Sequence, residues 1–372
     1  MENTISIPQC NPKANYEKQK QDIDSAISNV LNNGSYILGE EVSSFESEFA
    51  DFIGVKHAIG VANGTDAVEL ALLAAGISRS DNVATVSHTA VATLSAIRRM
   101  GANPIFIDIE PDYFTMSASS LKKALLIKKI KAIVVVHIYG QTANMKAIME
   151  IARENKIIVI EDCAQAHGAS SQNNLAGSIG DLGCFSFYPT KNLGALGDAG
   201  AIVTNNSNFA ERAYDLRQYG WRERYISSSQ GINSRLDEMQ AAILRVKLRS
   251  LKEDNNLRNQ LADKYSKFLK NFPSIQAPKL RQDSYHVYHQ YVVLSKKRDY
   301  ILEQMSKNNI SFGLHYPKPV HQQSAYAKKE YQIVSLDETD RIATEILSFP
   351  MFPELKMEEA ETILSRLNEL KL

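Results

Sequence analysis

At 372 residues the chain is long enough for a large α/β domain with a smaller appendage, and its 44% hydrophobic and 23% charged residues are those of an ordinary globular protein. Basic and acidic residues balance at 42 each, so no global field recruits nucleic acid or a membrane surface, and an anionic ligand has to be held by a local site. Three cysteines, Cys10, Cys163 and Cys184, are too few and odd in number for a disulfide framework, and the start Met-Glu-Asn-Thr-Ile-Ser-Ile-Pro has neither the basic nor the apolar stretch of a signal peptide.

In chain order, residues 16–32 and 38–52 are predicted helices, the second from the apolar spacing of Val42, Phe45, Phe49 and Phe52. Short β-branched runs follow at 57–62, 83–87, 104–108, 132–137 and 157–162, with helical stretches at 65–75, 89–100, 119–127 and 145–155 between them. Runs at 183–187 and 200–204 bring the expected strands to seven. Such alternation implies crossover connections, and hence a mainly parallel sheet with helices on both faces. Residues 235 to 270 lack Pro and Gly, and Leu236, Met239, Ile243, Leu244, Leu248 and Leu251 carry helical spacing. One long helix is predicted there, joining a large domain, residues 1–250, to a small C-terminal α+β domain, residues 251–372. In the small domain the pattern predicts strands at 291–294 and 311–315, a helix at 298–306 and two closing helices. No apolar run nears the ~20 residues needed to cross a bilayer, so a cytoplasmic protein is expected.

The chemistry gathers at two places. Lys191 follows the run 183–187 in a loop of small and turn-forming residues, where ligands of open α/β sheets sit outside the carboxyl ends of strands. A lone loop lysine is ordinarily a surface residue. Its reading changes because Asp162 closes the run 157–162 and directs a carboxylate into the same crevice. An amine that forms an imine with an aldehyde, and a carboxylate that keeps a pyridine nitrogen protonated, are what pyridoxal phosphate requires. Upstream, Asn63-Gly64-Thr65-Asp66-Ala67 lies between a strand and a helix and offers free amides and a positive helix end to a phosphate, with Ser186 as a further donor. Gln165 is placed to bond the ring's 3-hydroxyl, whereas His167 is equally a packing histidine and Cys163 a small core residue. Ser234 is the expected N-cap of the long helix, with Asp237 or Glu238 completing the arrangement. Arg222, Arg224 and Arg235 suit an anionic substrate such as a diphosphate. No metal site is expected.

In combination, residues 63–67, 161–168, 186–200 and 231–238 resemble the DegT/StrS group of pyridoxal-phosphate-dependent sugar-nucleotide aminotransferases, over nearly the whole chain from Gly34-Ser35-Tyr36-Ile37-Leu38-Gly39 onward. The resemblance implies the aspartate-aminotransferase-type (fold type I) architecture and a homodimer with shared active sites. It implies that Lys191 is the catalytic Schiff-base lysine and Asp162 the pyridinium partner. Gln165 would contact the cofactor oxygen, and Gly64, Thr65 and Ser186 the cofactor phosphate, with Asn233 reaching that phosphate from the neighbouring subunit. Where many members carry an aromatic residue to stack on the ring this chain has Ala90, and His88 is the substitute candidate.

Residues 136–141, 219–221 and 315–321 resemble the subgroup acting on dTDP-linked 3-keto-6-deoxyhexoses. That implies L-glutamate as amino donor, with Tyr188, Arg224, His315 and Tyr316 facing the nucleotide sugar; a 4-keto sugar nucleotide is the alternative substrate. Relatives that run dehydration replace the lysine with histidine, and Lys191 disfavours that chemistry. A non-catalytic regulatory protein of this fold would need a basic recognition helix, which the sequence lacks. A Rossmann dehydrogenase would need a G-x-G-x-x-G after the first strand, and none is present.

Overall fold

Seven five-residue strands built from Val, Ile and Ala form the centre of the molecule; in the computed structural model, residues 6–370 and 372 are described. They are β1 (His57–Val61), β2 (Asn82–Val86), β3 (Asn103–Ile107), β4 (Ala132–Val136), β5 (Ile158–Asp162), β6 (Leu182–Ser186) and β7 (Gly200–Thr204). Their order in the sheet is β1-β7-β6-β5-β4-β2-β3, and β7 alone runs against its neighbours. Each of the seven strands expected in this sheet is present within one or two residues of its predicted bounds. Such strands are apolar along their whole length because helices cover both faces. On β6, Phe185 packs against Phe49 of the helix Glu40–Ile53 at a ring distance of 5.0 Å, while Cys184 turns to the opposite core with Leu70 and Ala71 of the helix Gly64–Ala74.

Four expectations need correction. The predicted helix over 16–32 is two pieces, Pro12–Lys18 and Lys20–Asn33, separated at Gln19. The long helix over 235–270 is also two, Glu238–Leu248 and Leu251–Leu269. The break falls at Ser250, whose hydroxyl donates to the Lys247 carbonyl at 3.1 Å and so competes with the helical ladder. Ser250-Leu251-Lys252-Glu253 carries the Ser-x-x-Glu spacing of a helix start, a signal overridden by the unbroken apolar pattern.

Ser234 is not an N-cap. It donates to Asp66 Oδ2 at 2.8 Å and accepts the N–H of Ala62 at 3.1 Å, tying the chain before the helix to the phosphate-cradle turn, and Asp237 takes the cap position. Glu238 serves a different helix: its buried carboxylate accepts the N–H groups of Gly39, Glu41 and Val42 at the start of Glu40–Ile53. Glu238→Ala leaves those donors without an acceptor and is expected to cost about 2–4 kcal/mol in urea unfolding, whereas Glu238→Gln, which keeps one oxygen, costs about 1 kcal/mol.

In the C-terminal part, Tyr291–Leu294 pairs antiparallel with Ile346–Phe349, a strand that sequence reasoning did not separate from the closing helices. The predicted strand 311–315 is reduced to one bridge between Gly313 and Ser348. The closing helices are Asp337–Glu345 and Met357–Asn368. Met357–Asn368 packs on a core of its own with Tyr265, Tyr291 and Phe349 fully buried, whereas Ile342 of Asp337–Glu345 joins one of the two cores that cover the sheet. Among the described residues no helix is long and apolar enough to cross a membrane.

Candidate active site

β4, β5 and β6 end in register, with Val136 opposite Asp162 and Asp162 opposite Cys184, so their carboxyl ends open onto one edge of the sheet. The turn after β1 and the loop before β7 reach the same edge. There lies a cavity of about 240 Å³, lined among others by Gly64, Thr65, Ala90, Asp162, Gln165, Ser186, Tyr188 and Lys191. Tertiary structure thus brings together residues separated by more than a hundred positions, at the place where open α/β sheets hold ligands.

At one end is an anion cradle. Asn63 caps the helix Gly64–Ala74 by accepting the N–H of Asp66 at 2.9 Å, and its carbonyl takes that of Ala67 at 3.0 Å. The N–H groups of Gly64 and Thr65 precede these bonds and have no helical acceptor, which leaves them to an anion. Gly64 is packed so closely against Ser186 that a Cβ there would lie 2.5 Å from the Ser186 Cβ.

At the other end is Lys191. Its loop folds back on itself: the Lys191 N–H donates to the Tyr188 carbonyl at 2.8 Å and Ala195 N–H to Phe187 at 2.7 Å. Gly194 makes this possible, since a Cβ would sit 2.5 Å from the Pro189 carbonyl oxygen. Burial pushes the Lys191 amine down from 10.5 to about 8, against the opposing pull of Asp162. The neutral, nucleophilic fraction therefore rises as pH passes about 8. By linkage, burying the charged amine costs the fold stability below about 8, a cost that fades as pH rises toward 10.5. In cofactor-free protein, acylation of Lys191 by a small reagent is expected to show a midpoint near 8; a midpoint at 10.5 contradicts the assigned burial.

Asp162 is held on both oxygens, by the Thr93 hydroxyl at 2.8 Å and the Ala164 N–H at 3.2 Å. Thr93, which also lines the cavity, was missed by sequence reasoning because it sits inside a helix and carries no motif signal. Asn192 was missed too. Its side chain donates to Asn255 at 2.8 Å and to the Val287 carbonyl at 2.9 Å, and accepts from His289 at 3.1 Å, anchoring the residue after the lysine to the helix Leu251–Leu269 and the segment 286–290.

Other expected residues lie elsewhere. His88 is not placed to stack on a ring in the cavity. It is buried behind the wall, with its Nε2 2.6 Å from the Tyr139 hydroxyl and its ring against Phe114, while Thr89 and Ala90 face the cavity. His315 and Tyr316 stand one layer back, Tyr316 bonded to Gln165 at 3.2 Å and His315 to Ser348 at 2.9 Å. Arg224 is exposed beside the hairpin Trp221–Glu223 and Ile226–Ser227, over the ring of Tyr225, and Asn233 is exposed on the segment that follows. Neither reaches the cavity within this chain. His167 is packed between Phe185 and Phe187, where burial pushes its imidazole down to about 3 and keeps it neutral.

His137, Glu161 and Cys163 come close enough to suggest metal ligands, but the donors are already committed. His137 Nδ1 accepts the Ala143 N–H, so Nε2 carries the proton and donates to Glu161 at 2.8 Å. The Glu161 oxygens also accept the N–H groups of Gly177, Ile179 and Gly180. Burial alone would raise the Glu161 carboxyl, and these donors hold it below the usual range. The cluster braces the end of β5, next to Asp162.

A family model described as the DegT/DnrJ/EryC1/StrS aminotransferase family matches residues 17–368. The chain belongs to this family. It is 44% identical, over 94% of its length and 96% of the relative, to a dTDP-3-amino-3,6-dideoxy-alpha-D-galactopyranose transaminase of Aneurinibacillus thermoaerophilus. It is also 39% identical, over 98% of both chains, to a pleiotropic regulatory protein of Geobacillus stearothermophilus. The crystal structure of S. venezuelae DesV in complex with a ketimine intermediate superimposes with a TM-score of 0.95 at 38% identity, covering 98% of each chain. The fold type I architecture expected from the resemblance is the one observed.

Proposed function

We propose that this aminotransferase uses pyridoxal 5'-phosphate to move the amino group of L-glutamate to C3 of a dTDP-linked 3-keto-6-deoxyhexose, giving 2-oxoglutarate and a 3-amino-3,6-dideoxyhexose. The observation that carries the reading is one cavity in which an amide cradle, a half-buried lysine and a doubly held carboxylate converge. The donor set fits the cofactor: Gly64, Thr65 and Ser186 for the phosphate, Asp162 for the pyridine nitrogen, Gln165 for the ring oxygen and Lys191 for the aldehyde. When bound, pyridoxal phosphate supplies an aldehyde that takes up an amino group and a ring that accepts electrons released at the amino acid's Cα.

The chain's residues do the rest. Lys191 Nζ would hold the cofactor aldehyde and, with the donor amine in its place, take the proton from one carbon as general base and return it to the other as general acid in each half-reaction. Asp162, fixed by Thr93 and Ala164, would face the ring nitrogen of the bound cofactor and keep a proton on it. Tyr188, half exposed at the mouth, and Tyr316 behind Gln165 are the groups on this chain for the nucleotide sugar. Asn233 and Arg224, exposed beside the hairpin, would serve the site of a second copy in a homodimer. On this reading residues 1–250 form a large domain, which lines the cavity, and residues 251–372 a small C-terminal one. The galactopyranose-derivative transaminase at 44% identity supports C3 and dTDP.

The test is incubation with L-glutamate and, separately, dTDP-linked 3-keto and 4-keto 6-deoxyhexoses, with products read by mass spectrometry. An aminated product from the 3-keto sugar alone is expected; product from the 4-keto sugar alone overturns the assigned carbon. In the cradle, Gly64→Ala pushes a Cβ into Ser186 and is expected to weaken pyridoxal phosphate binding roughly ten- to a hundredfold, measured by fluorescence titration.

A further inference from the structure

Tyr139 sits in the turn Ile138–Gly140 after β4 with φ 62° and ψ −3°, the left-handed region, although it carries a bulky side chain and is buried. A residue with a Cβ holds that conformation only where its surroundings over-determine it, and such positions cluster at functional sites. Here every polar group of Tyr139 is committed. Its N–H donates to Gln165 Oε1 at 2.6 Å, and its carbonyl accepts the Gln290 N–H at 3.3 Å. Its hydroxyl donates to the His315 carbonyl. Because that bond uses the only hydroxyl proton, the 2.6 Å contact with His88 runs the other way, and His88 Nε2–H is the donor. Burial, which pushes His88 down to about 4, keeps it neutral in this tautomer.

The consequence falls on Gln165. A backbone N–H at 2.6 Å fixes which end of the amide is oxygen, so Nε2 is the free end. One of its two protons goes to the Tyr316 hydroxyl at 3.2 Å, and the other remains for the cavity that Gln165 lines. We propose that Tyr139 is a positioning residue: it holds the Gln165 amide in the one orientation that offers an N–H donor to the cofactor's ring oxygen, and its hydroxyl ties that amide to the segment His315–Tyr316. His88 therefore acts on the site through Tyr139 rather than by stacking. This rests on the pyridoxal phosphate reading of the cavity.

A donor on the ring oxygen stabilises its anionic form, so losing that donor raises the pH at which the visible absorption band of the loaded protein changes. Tyr139→Phe keeps the ring and the backbone N–H and deletes the hydroxyl anchor. In protein reconstituted with pyridoxal phosphate it is expected to move the midpoint of the band upward by about one pH unit, a tenfold change in the proton equilibrium. His88→Leu should act in the same direction, and His88→Gln, which can place a donor near the lost Nε2–H, should return the midpoint toward wild type. If Tyr139 acts through Gln165, the double variant Tyr139→Phe/Gln165→Leu shifts no further than Gln165→Leu alone. Additive shifts, or a folded Tyr139→Phe protein with a wild-type midpoint, would overturn the proposal. Should Tyr139→Phe fail to fold by urea titration, the two His88 variants decide it: equal midpoints in both count against the relay. Absence of any visible band in the wild type would remove the cofactor reading itself, a separate failure.

Discussion

Lys191→Ala is expected to fold as the wild type does and to lose turnover by on the order of 10⁴-fold or more, because one amine supplies both the covalent anchor and the proton transfer. Its side chain is partly buried and contributes a charge that burial disfavours, so its removal leaves no unsatisfied core group. The anchors of the surrounding loop lie on backbone atoms and on Asn192, which the substitution leaves in place. The measurement is single-turnover amino transfer beside a thermal unfolding curve. Normal turnover with normal folding contradicts the assignment of Lys191. An unfolded variant would show a structural role instead, and Lys191→Met, which keeps the apolar stem, would then separate the two.

The second large effect is on the partner. Asp162→Asn keeps the shape of the side chain and its place at the end of β5, but a neutral amide cannot hold a proton on a pyridine nitrogen. Loss of rate by roughly a hundredfold is expected, with cofactor binding weakened but retained, since the cradle at Gly64 and Thr65 is untouched. The new amide NH₂ also meets the Thr93 hydroxyl, which now donates to an Oδ atom at 2.8 Å and can turn to accept instead. Wild-type rates in this variant contradict the proposed role of Asp162.

Much of the fold was legible because its period is local. Strand runs of Val, Ile and Ala separated by amphipathic helices announce a doubly covered sheet, and the carboxyl ends of those strands carry Asp162, Ser186 and Lys191 in the sequence itself. What could not be read depends on neighbours far along the chain. The split at Ser250 lies in a stretch whose apolar spacing continues across it and outweighs the Ser-x-x-Glu start at Ser250, and the side-chain contact with Lys247 reveals it. Glu238 sits where a capping residue of its own helix is expected, yet its partners are Gly39, Glu41 and Val42, about two hundred residues upstream. His88 stands two residues from Ala90 in a segment facing the cavity, and nothing local says that its ring turns away toward Tyr139. Tyr139 lies in the run 136–141 that carries the subgroup resemblance, but nothing in that run shows its left-handed conformation or its four bonds, which are tertiary.

The most direct measurement is the absorption spectrum of the purified protein with pyridoxal 5'-phosphate, recorded before and after L-glutamate is added. A visible-edge band that forms and then shifts on glutamate is the predicted result, because Lys191 binds the aldehyde and gives way to the donor amine. No band, or a band that ignores glutamate, contradicts the account at Lys191 in the first case and at the amino donor in the second.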